Sequence, residues 1–175
     1  MTSVLDLESA IRKSAPAFAK AVKKAAAESQ NEAEFRTRAW KLIDDFSTEH
    51  ELDLQPREEY TLFNGRADAV YNRLVIEYEP PRSLRENPTL KANRHAVQQV
   101  KDYLTGLVKR ERHKPERLAG VAWDGCWFIF VMHSDAGWRV ENPVPVDASS
   151  CERFLSLLAS LNLERAVQPE YLIKD

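Results

Sequence analysis

Stretches of helical and strand-like periodicity alternate along the chain. From Phe35 onward the apolar residues Phe35, Ala39, Leu42, Ile43 and Phe46 recur at the spacing of one helix face. Ser29-Gln30-Asn31-Glu32, just before them, resembles a capping box with Ser29 as N-cap and Glu32 three residues on. Together they predict a helix running to about Glu49. Residues 5–28, dominated by Ala, Val, Leu and Lys, predict an earlier helix that Pro16 should break or reopen at a first turn. Residues 60–63 read as a short strand, and 66–71 and 74–79 as a hairpin that Pro80 and Pro81 end. Residues 82–90 read as a loop. A helix follows from about Lys91 to Lys109, with Ala96, Val100, Tyr103, Leu104 and Leu107 on one stripe. Leu118–Trp123 and Cys126–Met132 are strand-like, and Asp124-Gly125 between them is a two-residue turn signal. Trp138–Val140 adds a third strand-like run, and Phe154–Leu163 is the apolar part of a final helix at about 147–163. This order predicts an α/β sandwich with a mixed sheet.

The length of 175 residues suits one domain able to bury a core without disulfides or a structural metal. No apolar stretch is long enough to span a bilayer, and no secretory signal is evident at the N-terminus. Cys126 and Cys151 are too few for a disulfide framework and lie in no CxxC pattern, so a cytoplasmic location is expected. The chain ends at Asp175 without an obvious tail, which raises the expectation that it is an N-terminal fragment of a longer protein.

The net charge of −2 conceals an uneven distribution. From Arg82 to Arg117 basic residues dominate, and only Glu86, Asp102, Glu111 and Glu116 oppose them. Such a segment is either a solvated surface or a surface for a polyanion such as DNA. It lies directly after an acidic cluster. If Asn72-Arg73 is the hairpin turn, Tyr71 pairs with Leu74, Asp68 falls opposite Glu77, and Arg66 opposite Glu79. Asp68, Glu77, Glu79, Val70 and Val75 then share one face, and Ala67, Ala69, Ile76 and Tyr78 the other. Opposed like charges destabilise a sheet, so a cation is expected among them. Hard oxygen ligands at this spacing suit Mg2+. The blander alternatives pair Arg66 with Glu79 and give Asp68 a backbone or Arg partner, or slip the strands by one residue and place the acids on opposite faces. Glu32 falls close to the apolar stripe of its helix and could reach the same acids, unless it only serves the capping box.

These residues resemble the PD-(D/E)xK nuclease superfamily. That family places a helix Glu first, an Asp on one strand, (D/E)xK on the next, and then a helix. The matching positions are Glu32, Asp68 and Glu77-Tyr78-Glu79. Gln99 and Tyr103 look like the QxxxY motif of its RecB-like branch. The likeness covers roughly Ser29–Met132 and is strongest from Gly65 to Glu79. It resembles the nuclease modules of restriction enzymes fused to a DNA methyltransferase or a motor.

The resemblance implies a restriction-endonuclease-like core, with a mixed central sheet flanked by helices. It implies a Mg2+-dependent DNA endonuclease of a restriction-modification or defence system, with Mn2+ able to substitute. Asp68 and Glu77 would hold the metal, aided by Glu79 and, through water, Glu32, while Gln99 and Tyr103 would orient substrate. Further domains of the same chain, such as a methyltransferase or motor, and a homodimer are implied partners. One position departs from the pattern, because the family's Lys is Glu79 here. Glu79 either replaces that Lys functionally or marks an inactive nuclease-like fold that binds nucleic acid or serves assembly. Lys101 and Lys91 are two positions to which the ammonium could have moved.

Other chemistries find no support. His50, His95, His113 and His133 lack zinc-site spacing. No GxxxxGK[ST], GxSxG or GxGxxG motif occurs. Trp40, Trp123, Trp127 and Trp138 are either base-stacking surfaces or packing residues, and the positions of Trp123 and Trp127 beside a turn favour packing.

Overall fold

The computed structural model describes residues 4–54, 56–62, 65–71 and 73–162, with side chains described for 5–54, 68–71 and 73–160. It is an α/β arrangement in three layers. Helices α1 (Val4–Glu28) and α2 (Glu32–Glu49) come first, followed by strands β1 (Pro56–Leu62), β2 (Gly65–Tyr71) and β3 (Leu74–Tyr78). Helix α3 (Lys91–Glu111) crosses to β4 (Ala119–Trp123), and β5 (Trp127–Ser134), β6 (Gly137–Val140), β7 (Val144–Pro145) and α4 (Ala148–Asn162) complete the chain. The sheet runs β1-β2-β3-β4-β5-β6, with β7 paired to β5. All neighbours are antiparallel except β3 and β4, which α3 joins in parallel.

The two faces of the sheet bury different sets of side chains. Ala69, Tyr71, Leu74, Ile76, Tyr78 and Trp123 face α1, α2 and α4. Val70, Val75, Ala122, Ile129 and Val131 face α3. This is the alternation expected for the hairpin. The central strands β3 and β4 are buried along their whole length, as a parallel pair covered on both faces must be. Under the three-helix face, Phe18 stacks on Phe154 at 6.2 Å, and Trp123 meets Phe154 at 5.0 Å and Phe35 at 5.3 Å. Gly120 lets α3 lie close to β4, since a Cβ there would collide with Val100.

Several local expectations are corrected. Helix α1 continues through Pro16. Pro16 and Arg12 are both exposed, so the carbonyl left without its usual N–H lies on the solvent side. The N-cap of α2 is Asn31 rather than Ser29. Asn31 Oδ1 accepts the N–H of Glu34 at 2.9 Å, and Glu34 Oε2 accepts the N–H of Gln30 at 2.8 Å. Ser29 instead donates its hydroxyl to the carbonyl of Ala25. The capping role therefore belongs to Glu34, and Glu32 is free of it.

The turn after Trp123 is longer than two residues. Asp124 accepts the N–H groups of Cys126 and Trp127, and Gly125 supplies φ +84°, so β5 begins at Trp127. Strand β1 begins at Pro56, earlier than expected, and β7 had no clear signal in the chain. Helix α4 begins at Ala148 because Asp147 and Ser150 cap each other reciprocally. Asn72, Leu163 and the segment to Asp175 lie outside the described residues. Among the described residues, no helix is long and apolar enough to cross a membrane.

Candidate active site

The acidic residues meet where β2 and β3 part. The ladder between these strands has the expected register, Tyr71 to Leu74, Val70 to Val75 and Ala69 to Ile76, and then stops. Asp68 and Glu77 are the next residues in that register. A continued ladder would send the N–H of Tyr78 to the carbonyl of Ala67. Asp68 Oδ2 takes that N–H instead, at 2.9 Å. The side chain replaces a backbone acceptor and is thereby fixed at the strand gap. The expected pairing of Arg66 with Glu79 does not continue the ladder, since Glu79 donates its N–H to the carbonyl of Trp123 at 2.9 Å. The side chain of Arg66 lies outside the described residues.

Glu77 is almost fully enclosed, only 5% exposed. Its Oε2 is buried and has no hydrogen-bond partner. Burial, followed by the charges of Asp68, Glu79 and Glu32, pushes the Glu77 carboxyl up to about 9, against a smaller opposing effect of Arg36. Glu79 rises to about 7 through burial and then Glu32, Asp68 and Asp124. Glu32 is raised by burial and then by Asp68. These mutual effects tie Glu32, Asp68, Glu77 and Glu79 into one electrostatic cluster, with Glu32 contributed by the first turn of α2 as expected.

Helix α3 closes the site from the other layer. Tyr103 is 6% exposed, and its hydroxyl is pushed up to about 12 by burial and then by Glu77. A side-chain hydrogen bond joins Gln99 to Tyr103, so Gln99 reaches the cluster through that ring. Lys101 is half-buried on α3 and Lys91 is exposed at its start. The cation felt by Glu32 and Glu77 comes from neither, but from Arg36 of α2.

Asp68 has both the backbone partner and the Arg partner of the blander expectation. The sequence did not single out Arg36 as that Arg, although its position one helical turn after Glu32 puts both on the same face of α2. Its Nη1 lies 3.3 Å from Asp68 Oδ1. Asp124 was also missed as part of this environment, having been read only as a turn residue. It is fully buried, and besides the turn N–H groups it accepts the N–H of Leu84 at 2.9 Å. That bond ties the loop after Glu79 to the β4–β5 turn.

The tryptophans are packing residues where they are best defined. Trp123 is fully buried, and Trp138 donates its indole N–H to Thr105 at 3.2 Å. Among the described residues, no three His, Cys, Asp or Glu side chains converge tightly enough to form a ready-made metal site. The donor chemistry nonetheless fits a hard divalent cation, with carboxylate oxygens around an unpartnered, buried Glu77 oxygen. No protein-family model, curated protein or solved structure matches this chain.

Proposed function

We propose that this chain is a Mg2+-dependent DNA endonuclease domain with a restriction-endonuclease-like core, acting in a restriction or defence system. One observation carries the reading: the buried Glu77 carboxyl, whose Oε2 has no partner, lies next in register to Asp68 where the β2–β3 ladder ends. A buried acid among like charges is costly unless protonated or joined by a cation. Support also comes from the order of elements, with Glu32 on a helix, Asp68 and Glu77 on adjoining strands, and Gln99 and Tyr103 on the next helix.

In this reading Asp68 and Glu77 would hold Mg2+, with Glu79 and Glu32 in the same electrostatic cluster. The chemistry that the metal supplies when bound is Lewis acidity toward a phosphoryl oxygen and toward water. The N–H of Tyr78 keeps Asp68 oriented. Glu79, held at about 7, takes up and releases a proton near neutral pH. The Tyr103 hydroxyl, held at about 12, stays protonated and can donate to a phosphate oxygen, steadied by Gln99.

The test is calorimetric titration with Mn2+ together with nicking of supercoiled plasmid. The native chain should bind Mn2+ and nick, and Asp68→Ala should do neither. A second reading, a catalytically inactive nuclease-like fold that binds nucleic acid or serves assembly, is favoured by Glu79 in place of Lys and by the Arg36–Asp68 pair. Absence of metal binding, with plasmid left intact after long incubation in Mn2+, would support that second reading.

A further inference from the structure

Both oxygens of Asp68 are engaged within the protein. Oδ2 accepts the N–H of Tyr78, and Oδ1 faces the Arg36 guanidinium at 3.3 Å. The Arg36 and Asp68 side chains are 32% and 18% exposed, so the pair is shielded but reachable by solvent. Next to it sits the buried Glu77 oxygen without a partner, in a residue only 5% exposed. Arg36 comes from the three-helix layer, whereas Val70 and Val75, which share the sheet face of the acids, pack under α3. Arg36 therefore meets Asp68 beside the point where the β2–β3 ladder ends.

We propose that Arg36 is the resident counter-cation of this site, which a divalent metal must displace from Asp68 in order to bind between Asp68 and Glu77. The inference rests on the metal-binding reading above and adds a device to it. The site as built holds a monovalent cation on a helix, and metal entry exchanges it. Two positive groups at one carboxylate repel, so the guanidinium lowers metal affinity by its charge. Released from Asp68, Arg36 remains beside Glu32, four residues before it on the same helix face. This gives the freed guanidinium a nearby partner.

The experiment uses the full 175-residue chain and Mn2+ alone as the probe, read by calorimetry. Arg36→Met keeps the length of the side chain and removes its charge, and it should tighten Mn2+ binding about tenfold, the order expected for one charge near a divalent ion in a partly solvated site. Arg36→Lys restores the charge and should return the affinity toward the native value. A purely structural role would weaken binding in both variants. Unchanged or weaker binding by a folded Arg36→Met variant overturns the proposal while native Mn2+ binding leaves the metal reading intact. Failure of the native chain and both variants to bind Mn2+ overturns the metal reading and this proposal together. If Arg36→Met does not fold, the native chain decides the matter. The side-chain Nε–H resonance of Arg36 should shift on addition of Mg2+, and an unchanged resonance at saturating Mg2+ overturns the exchange.

Discussion

Asp68 accepts the backbone N–H of Tyr78 at 2.9 Å, in the place where a continued β2–β3 ladder would offer the carbonyl of Ala67. One side chain thus ends the strand pairing, satisfies a buried donor and brings its charge beside Glu77. These roles separate by substitution. Asp68→Asn keeps an oxygen for the Tyr78 N–H and removes one of the repelling charges, so the metal-free fold should stay within about 1 kcal/mol of native or gain stability. Asp68→Ala leaves the N–H without an acceptor and should be less stable than Asp68→Asn by about 1–3 kcal/mol. Urea unfolding in the presence of a chelator measures the difference. Both variants should lose Mn2+ binding.

The pH dependence of the metal-free fold should follow Glu77. Burial, then Asp68, Glu79 and Glu32, raises its carboxyl from an ordinary 4.5 to about 9. The folded state therefore keeps a proton that the unfolded chain has lost. Stability from this group is complete below about 4.5 and declines as the pH rises toward 9. Glu79, raised to about 7, adds to the decline between 4.5 and 7. Glu77→Gln should flatten the profile, and it should be more stable than the native chain near pH 8 and nearly equal near pH 4.5. Metal entry must expel the same proton, so native Mn2+ affinity should rise with pH over this window. Urea midpoints and calorimetry across pH check both statements.

Glu79→Lys restores the cation that the nuclease pattern carries. An ammonium beside Glu77 should draw that carboxyl back toward its ordinary range and raise metal-free stability near neutral pH. If the site is catalytic, plasmid nicking should be retained or increased. Nicking by the native chain that disappears in Glu79→Lys would instead assign the Glu79 carboxylate an essential part in catalysis.

Asp124 couples the site to its following loop. Its carboxylate accepts from Leu84, Cys126 and Trp127 at 2.9, 2.8 and 2.7 Å, and it is fully buried. Asp124→Ala strands these donors at about 1–3 kcal/mol each and should destabilise the fold severely. Asp124→Asn retains an acceptor oxygen and should be milder. Hydrogen exchange at Leu84 should quicken in both variants, and most in Asp124→Ala.

Periodicity carried the scaffold. The stripes Phe35, Ala39, Ile43 and Phe46 and Ala96, Val100, Leu104 and Leu107 are buried as their spacing requires. The alternation of Val70 and Val75 against Ala69 and Ile76 puts each pair on the expected face. The register from Tyr71 to Leu74 was only one of two that the chain allowed, and the ladder settles it against a slip by one residue, which would turn the hairpin's apolar side chains to the wrong layer. Choices between near-equal local partners were not legible. Ser29 and Asn31 are both good N-caps, and only the path of the chain out of α1 assigns the role to Asn31. Pro16 carries the same local signal whether the helix stops or continues, and the packing of α1 against α4 continues it.

The sequence by itself determined the order of the elements, the buried stripes and the identity of the acids, since these depend on residues close together in the chain. The tertiary structure decided which charges meet. Arg36 and Asp68 are separated by 32 positions, and Glu79 and Asp124 by still more, so no local pattern relates them. The β2–β3 ladder ends at Ala69 and Ile76, Asp68 beyond it meets Arg36, and enclosure between the helix layers removed water from Glu77. Solvation and charge act through space rather than along the chain, and the properties of this site follow from them.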